Sequence, residues 1–223
     1  MPKRDPLVFT LLALTGVTGL VDAVSFLGLG HVFTANMTGN VVLLGFAVAG
    51  APGLSIARSS TSLVAFLVGA ALGGRLGVAM ATASRRRWLF TVAASEAALL
   101  IAAALVSIGF DIGAATPPSR LYAVIVLTAL AMGLRNATVR RLAVPDLTTT
   151  VLTLTLTGVA AESALAGGNN PRVGRRLASV ALMFAGAAVG TLLLRFGLAL
   201  PLVVSGTCVL AAAAYAASTG EET

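Results

Sequence analysis

The densest group of side chains able to do chemistry lies at residues 34–40, inside an otherwise apolar stretch. Asn36, Thr38 and Asn40 supply hydrogen-bond donors and acceptors, which suit a polar solute or partly dehydrated ions. Gly39 permits backbone geometry that a regular helix does not need. We predict that these four residues face a substrate. The alternative is that the Asn and Thr side chains cap a broken helix.

A second group of hydroxyl side chains lies in the other half of the chain. Thr148, Thr149, Thr150 and Thr153 are the candidate substrate-binding residues there. Residues 152–157 alternate leucine and threonine, which is the period of a strand. The alternative for residues 154–160 is a helix whose threonine hydroxyls bond to carbonyls one turn earlier. An extended or broken start at 148–150 must be buried or line a cavity, because a strand edge cannot face lipid.

Asp22 is a charged residue about fifteen residues into the first apolar stretch. An ionised carboxylate at mid-bilayer costs roughly 2.5–3.5 kcal/mol, so it must pair, protonate or line a cavity. Asp22 is therefore either a proton- or cation-coupling site or a structural partner for a residue such as Arg135. The sequence leaves both open. Arg135 and the neighbouring Asn136 complete the set of candidate substrate-binding residues.

Glu96 and Glu162 are the other candidate coupling or structural carboxylates. We predict a structural ion pair between Glu96 and Arg75, and we predict that Glu162 reaches Arg172 or solvent. A single histidine and a single cysteine exclude the usual metal clusters and Cys–His pairs. The sequence contains no nucleophile elbow, phosphate loop or dinucleotide fingerprint. We therefore predict a protein that is not an enzyme and that binds no metal or cofactor.

The elements that position these residues follow from the composition. Apolar residues make up 57% of the chain and charged residues 10%, against about 25% charged in soluble domains. This composition predicts one all-α integral membrane domain over residues 1–223. The net charge of +7 comes from basic residues in loops, as expected of cytoplasmic loops near anionic lipid. The predicted partners are the lipid bilayer and a small solute or ion, and nucleic acid is excluded.

Eight apolar blocks are candidates for spans of about 20 residues. Those near 34–51 and 147–167 are weaker, since they carry the polar clusters; the others lie near 7–29, 60–82, 88–110, 119–141, 174–196 and 198–217. If all eight cross, the basic residues divide between both sides. If the two weak blocks break or re-enter, most of the basic residues lie on one side of the membrane, as the positive-inside rule requires. We predict six full transmembrane helices, two broken or re-entrant segments and cytoplasmic termini in the bacterial inner membrane.

The two halves of the chain resemble each other. Residues 19–23 (GLVDA) match 133–137 (GLRNA) 114 residues later, and 69–73 (GAALG) match 186–190 (GAAVG) 117 residues later. We predict repeats at about 7–110 and 119–217, inverted because each holds three spans. Inverted repeats with interrupted segments at matching positions are typical of secondary transporters. The small residues four apart favour helix packing or a homodimer.

Residues 19–27 (GLVDAVSFL), followed by Gly30 and 33–40 (FTANMTGN), resemble the signature of the YoaK-like bacterial membrane proteins. So do residues 133–137, followed by 148–150 and Thr153. The resemblance covers essentially the whole chain. It implies a multi-span inner-membrane protein of a family of unknown function, and it supplies neither a substrate nor site residues.

The function that the sequence favours is secondary transport of a small polar or charged solute, with Asp22 as a candidate for proton coupling. A passive channel-like pore is the first alternative, because polar segments suffice for it without coupling. A non-transporting scaffold is the second, in which the polar residues only hold the spans together.

Overall fold

The computed structural model describes residues 6–147 and 149–219, and eight α-helices form that part of the chain. Six of them are long and apolar enough to cross a membrane. At about 1.5 Å per residue, each exceeds the roughly 30 Å hydrocarbon core. The prediction of an all-α protein with six spans is confirmed. The helices are α1 (Pro6–Gly28), α2 (Met37–Val48), α3 (Ile56–Ala79), α4 (Arg85–Val106), α5 (Pro118–Leu142), α6 (Thr153–Ala161), α7 (Val173–Leu193) and α8 (Ala199–Thr219).

Helices α2 and α6 are too short to span, with 12 and 9 residues. Helix α2 folds back along α3, where Asn40 Nδ2 donates to Ser62 Oγ at 3.1 Å. Helix α6 folds back along α7, where Arg176 Nη1 donates to the Gly158 carbonyl at 2.8 Å. Each segment therefore enters and leaves on one side of the bundle, as the prediction of re-entrant segments requires.

The directions of the long helices follow from their contacts. Helices α1 and α7 run parallel, because Gly16 faces Gly186 and Gly190 faces Leu20 further along both helices. Helices α3 and α5 are parallel in the same way. Helix α8 runs antiparallel to α1, since Thr10 Oγ1 donates to the carbonyl of Ala212, close to the end of α8. Pro6 at the start of α1, Ser84 before α4 and Leu142 at the end of α5 line one cavity. The starts of α1, α4 and α7 therefore lie on the same side as the ends of α3, α5 and α8.

We call this side the basic face. Helix α6 re-enters from the basic face, and α2 re-enters from the opposite face. The opposite face carries Arg58, Arg120 and Arg195, while Lys3 and Arg4 lie outside the described residues. The arginines that define the basic face are Arg85, Arg86, Arg87, Arg140, Arg141, Arg172 and Arg175.

Glycines let the parallel helices touch backbone to backbone. A Cβ atom added to Gly19 would lie 2.9 Å from the Ala187 nitrogen, and one added to Gly133 would lie 2.8 Å from the Ala70 nitrogen. Both approaches leave no room for a side chain. The two contacts are related by the same shifts of 114 and 117 residues that relate the two halves of the sequence.

The buried core lies between α1, α4, α5 and α8, with Val21, Leu100, Met132 and Leu202 fully enclosed. Helices α2, α3 and α7 instead turn large apolar side chains outward, as expected where the surroundings are lipid. The polar groups buried among the four central helices therefore need partners inside the bundle.

Candidate functional site

A buried ion pair joins α4 to α5 at the centre of the bundle. Arg135 Nε donates to Glu96 Oε1 at 2.7 Å, and Arg135 Nη2 donates to the same oxygen. Both side chains are 2% exposed. Arg135 Nη1 donates to the Leu14 carbonyl and to Thr18 Oγ1 on α1, each at 2.9 Å. One guanidinium group therefore links three helices with charge-assisted hydrogen bonds.

This pair corrects one prediction. Arg75 does not neutralise Glu96, because Arg75 lies on the exposed side of α3. Helix α3 packs mainly on α5 and α2, whereas α4 packs on α5 and α8. The charged partner within reach of Glu96 is therefore on α5. The described hydrogen bonds of Arg135 go to Glu96 and α1 and none goes to Asp22, so Arg135 is not a direct partner of Asp22.

A cavity of about 630 Å³ lies between α1, α4, α5 and α8 and ends at this ion pair. Its lining includes Pro6, Ser84 and Leu142 at helix ends on the basic face, and Glu96 and Arg135 at its inner end. Glu96 lies eleven residues after Arg85 along α4, which is roughly 16 Å at the helical rise. The cavity therefore reaches from the basic face to about the middle of a 30 Å bilayer.

Asp22 and Asn136 occupy matching positions on α1 and α5. The Asp22 carboxylate accepts a hydrogen bond from the Ala35 backbone N–H at 3.3 Å. Asn136 Oδ1 accepts one from Thr150 Oγ1 at 2.7 Å. In both halves a long helix therefore holds the turn that leads into the re-entrant helix. Neither residue lines the cavity.

The cluster at 34–40 fastens α2 to its neighbours. Asn40 is fully buried, accepts from the Phe33 N–H at 2.9 Å and donates to the Phe33 carbonyl. Asn36 Oδ1 accepts from the Gly39 N–H at 3.1 Å, so Asn36 caps α2. A Cβ atom on Gly39 would lie 2.8 Å from the Phe33 ring, so the absence of a side chain at Gly39 lets the ring pack against the backbone. The capping alternative is confirmed for Asn36, while Thr38 is exposed.

Replacing Asn40 with alanine should lower the free energy of unfolding by about 1–3 kcal/mol, because the Phe33 N–H loses its bond to Asn40 Oδ1. The Phe33 carbonyl keeps the hydrogen bond from Ser62 Oγ. Thermal or SDS-induced unfolding of purified protein measures the change. The matched control is Thr38→Ala on the exposed side of the same helix, which should change stability by under about 0.5 kcal/mol. Equal effects of the two variants would show that the Asn40 contacts do not hold the segment.

The threonine segment is bent first and helical afterwards. Thr149 has a φ of +61°, which is rare for a β-branched residue and turns the chain sharply. Helix α6 starts at the exposed Thr153, and Thr157 Oγ1 donates to the Thr153 carbonyl at 2.9 Å. A broken start is thus confirmed. The strand interpretation of 152–157 is wrong, because the backbone is helical from Thr153. Thr148 lies outside the described residues.

Ion pairs fasten the segment before α6 and the end of α6 to α7 at the basic face. Arg176 Nε lies 3.1 Å from Asp146 Oδ1, and Arg176 Nη2 lies 3.0 Å from Glu162 Oε2. Arg172 Nε lies 2.8 Å from Asp146 Oδ2. Glu162 pairs with Arg176 and not with Arg172, which lies one helical turn earlier. Its side chain is 47% exposed, so the prediction that Glu162 reaches solvent is confirmed. Neither the role of Asp146 nor the burial of Arg176 was predicted, since neither residue has a distinguishing local pattern.

The structure brings only some of the predicted site residues together. Arg135 and Glu96 share the cavity. Asp22 and Asn136 lie on α1 and α5 and contact the turns that lead into α2 and α6. The other predicted residues lie at those turns or at the starts of α2 and α6. The part that all of these residues play in binding a solute stays a prediction. They are Asp22, Asn36, Thr38, Gly39 and Asn40 in the first half and Asn136, Thr149, Thr150 and Thr153 in the second.

Comparison with known proteins agrees with the resemblance drawn from the motifs. Residues 10–215 match the family described as "Protein of unknown function (DUF1275)". Over 151 residues the chain is 35% identical to the "UPF0700 transmembrane protein YoaK" of Bacillus subtilis (strain 168). That alignment covers 66% of this chain and 63% of the relative, so the chain spans less than two thirds of the relative's length. No solved structure gives a significant match. The chain is a multi-pass membrane protein and belongs to the YoaK-like DUF1275 family, whose function is unknown.

Proposed function

We propose that this protein is a secondary transporter that moves a small solute across the bacterial inner membrane. The observation that carries the proposal is the 630 Å³ cavity that reaches from the basic face to the buried Glu96–Arg135 pair. Its volume falls within the roughly 300–1,000 Å³ of small-molecule sites. A path that is open at one face and closed at mid-membrane fits one state of an alternating-access cycle.

We further propose that the two halves are inverted repeats. Helix α1 begins at the basic face and α5 begins at the opposite face. The re-entrant helices differ in the same way, since α2 re-enters from the opposite face and α6 from the basic face. The contact of Gly69 with the Leu130 carbonyl is matched by that of Gly186 with the Gly16 carbonyl, under the shifts that relate the sequences. If the halves exchange conformations, the cavity closes on the basic face and a corresponding one opens on the other.

The positive-inside rule supports a cytoplasmic basic face. Seven arginines define the basic face and three lie on the opposite face. In this orientation both termini are cytoplasmic and the cavity opens to the cytoplasm. Tagging the termini with reporters active on one side of the membrane tests the orientation, and a periplasmic signal would contradict it.

Asp22 is the proposed coupling residue. Its carboxylate accepts a hydrogen bond from the Ala35 N–H in the turn into α2. Protonation of Asp22 would weaken this hydrogen bond and so loosen the re-entrant segment. Among the described residues, Arg135 on α5 is the charged side chain that acts on Asp22 electrostatically. A coupled proton and the ion pair at the end of the cavity would thus influence each other through Arg135.

Uptake into proteoliposomes under a pH gradient tests transport and coupling together. The solutes are an organic anion, an organic cation and a neutral polyol. The wild-type protein should accumulate one of them, and Asp22→Asn should reduce that accumulation at least about tenfold, a loss of roughly 1.4 kcal/mol of driving free energy. Asp111→Asn, an exposed carboxylate in the α4–α5 loop, is the matched control and should transport normally.

The alternatives give different results in the same assay. A passive pore would equilibrate a solute without accumulating it, and Asp22→Asn would conduct as the wild type does. A scaffold would show no flux of any solute while the purified protein remains folded. Either result would overturn the proposal of secondary transport.

A further inference from the structure

The charges around the cavity are unequal. Among the described residues that line it, Arg85, Arg86 and Arg135 carry guanidinium groups, and Glu96 carries the one carboxylate. Arg85 and Arg86 lie exposed at the opening, where a positive field raises the local concentration of anions. A cation approaching the same opening is repelled.

The walls between the opening and the ion pair are apolar. Leu11 and Leu14 from α1, Val92 from α4, Val139 from α5 and Val209 from α8 face the cavity. A strongly hydrated inorganic ion gains nothing from such walls and loses its water shell. A ligand with an apolar body gains free energy by removing that surface from water.

Arg135 is not required by the repeated architecture. The matching position in the first half is Val21, which packs in the core without a charge. Buried ion pairs are weak stabilisers, because the cost of removing two charges from water offsets their attraction. The guanidinium offers a planar set of donors that binds a carboxylate or sulfonate as readily as it binds Glu96. Its position at the inner end of an apolar cavity therefore points to ligand binding.

We propose that the cavity binds an organic anion with an apolar body, whose acidic group replaces the Glu96 carboxylate at Arg135. The inference rests on the proposed function, because it names the class of solute for that cavity. The apolar body lies against α1, α4, α5 and α8, and the anionic group reaches Arg135. Glu96 takes up a proton as the anion binds Arg135, so that no unpaired carboxylate stays buried. Its release then loosens the contact between α4 and α5.

Binding to purified protein in nanodiscs of zwitterionic lipid tests the inference. The probe is 1-naphthalenesulfonate, which is permanently ionised; 1-naphthylmethylammonium and 1-naphthalenemethanol are the matched cation and neutral compound. The anion should bind at least about tenfold more tightly than either. The variant Arg85→Gln/Arg86→Gln should weaken binding about threefold at low salt and less at high salt. Arg195→Gln on the opposite face is the matched control and should bind as the wild type does.

The double variant Glu96→Leu/Arg135→Met separates folding from binding, because it replaces the pair with apolar side chains of similar length. It should remain folded, with most of the stability that Arg135→Met loses, and lose about tenfold or more in affinity for the anion. Unchanged affinity in a folded double variant would overturn the inference. Equal binding of the cation would also overturn it.

The outcome is distinguishable from that of the transport proposal. If proteoliposomes accumulate only the cation or the polyol, the protein is a transporter and the inference about the anion fails. If the anion binds as expected but no solute crosses the membrane, the binding site stands and the transport proposal fails.

Discussion

Arg135→Met should destabilise the folded protein by about 3–5 kcal/mol, because it leaves the Glu96 carboxylate buried without a partner. Glu96 is 1% exposed and accepts from Arg135 on its Oε1 atom. The substitution also removes the bonds from Arg135 to Leu14 and Thr18 on α1. SDS-induced unfolding followed by circular dichroism measures the loss. Arg75→Met, at an exposed position of α3, is the matched control and should change stability by under about 0.5 kcal/mol.

The double variant Glu96→Leu/Arg135→Met should recover most of this loss. Replacing a buried ion pair with apolar residues of similar volume is often neutral or stabilising by about 1–4 kcal/mol. The pair is coupled, so the effects of its two members are not additive. If the double variant is as unstable as Arg135→Met, the loss comes from packing or from the contacts with α1 and not from an unpaired Glu96.

Gly133→Ala should destabilise the protein by about 1–3 kcal/mol, because its Cβ atom has no room between α5 and α3. The added atom would lie 2.8 Å from the Ala70 nitrogen and 3.0 Å from the Phe66 carbonyl carbon. Both neighbours are backbone atoms, so the helices must move apart. The same SDS-induced unfolding measures the effect, and Gly19→Ala at the matching α1–α7 contact should behave alike.

Gly74→Ala is the control for this prediction. Gly74 lies on α3, one residue after a contact glycine, and a Cβ atom there meets nothing within 4 Å. Alanine has the higher helix propensity by about 1 kcal/mol, so this variant should be as stable as the wild type or more stable. If Gly133→Ala matches it, the close approach of α3 and α5 does not contribute to stability. If Gly19→Ala and Gly133→Ala differ widely, the two contacts are not energetically equivalent.

Much of the fold follows from the sequence. Long apolar blocks predicted the six spans, because a helix forms all of its backbone hydrogen bonds internally and can therefore cross lipid. The polar clusters beginning at Asn36 and at Thr149 marked the two segments that do not span. The matching of residues 19–23 with 133–137 indicated which helices occupy matching places, and the glycine contacts follow those positions.

The candidate site was less accessible to sequence reasoning. Glu96 and Arg135 were both recognised as unusual, but their pairing was not, because they are 39 residues apart and on different helices. Asn36 and Asn40 were interpreted as substrate-facing, and their described hydrogen bonds hold the re-entrant segment. Residue type indicates that a buried polar group needs a partner; it does not indicate which partner.

The sequence by itself determined that this is a membrane protein with six spans, and it indicated two further segments that break or re-enter. The tertiary structure alone decided that Glu96 faces Arg135 and that a cavity leads to them. The physical reason is the bilayer, which is as apolar as the interior of the bundle. Phe184 and Leu67 are exposed at 76% and 65%, and Leu100 is fully buried, although all three are large apolar residues within spans. Apolar periodicity therefore cannot show which faces of these helices meet, and only the packing of the helices does.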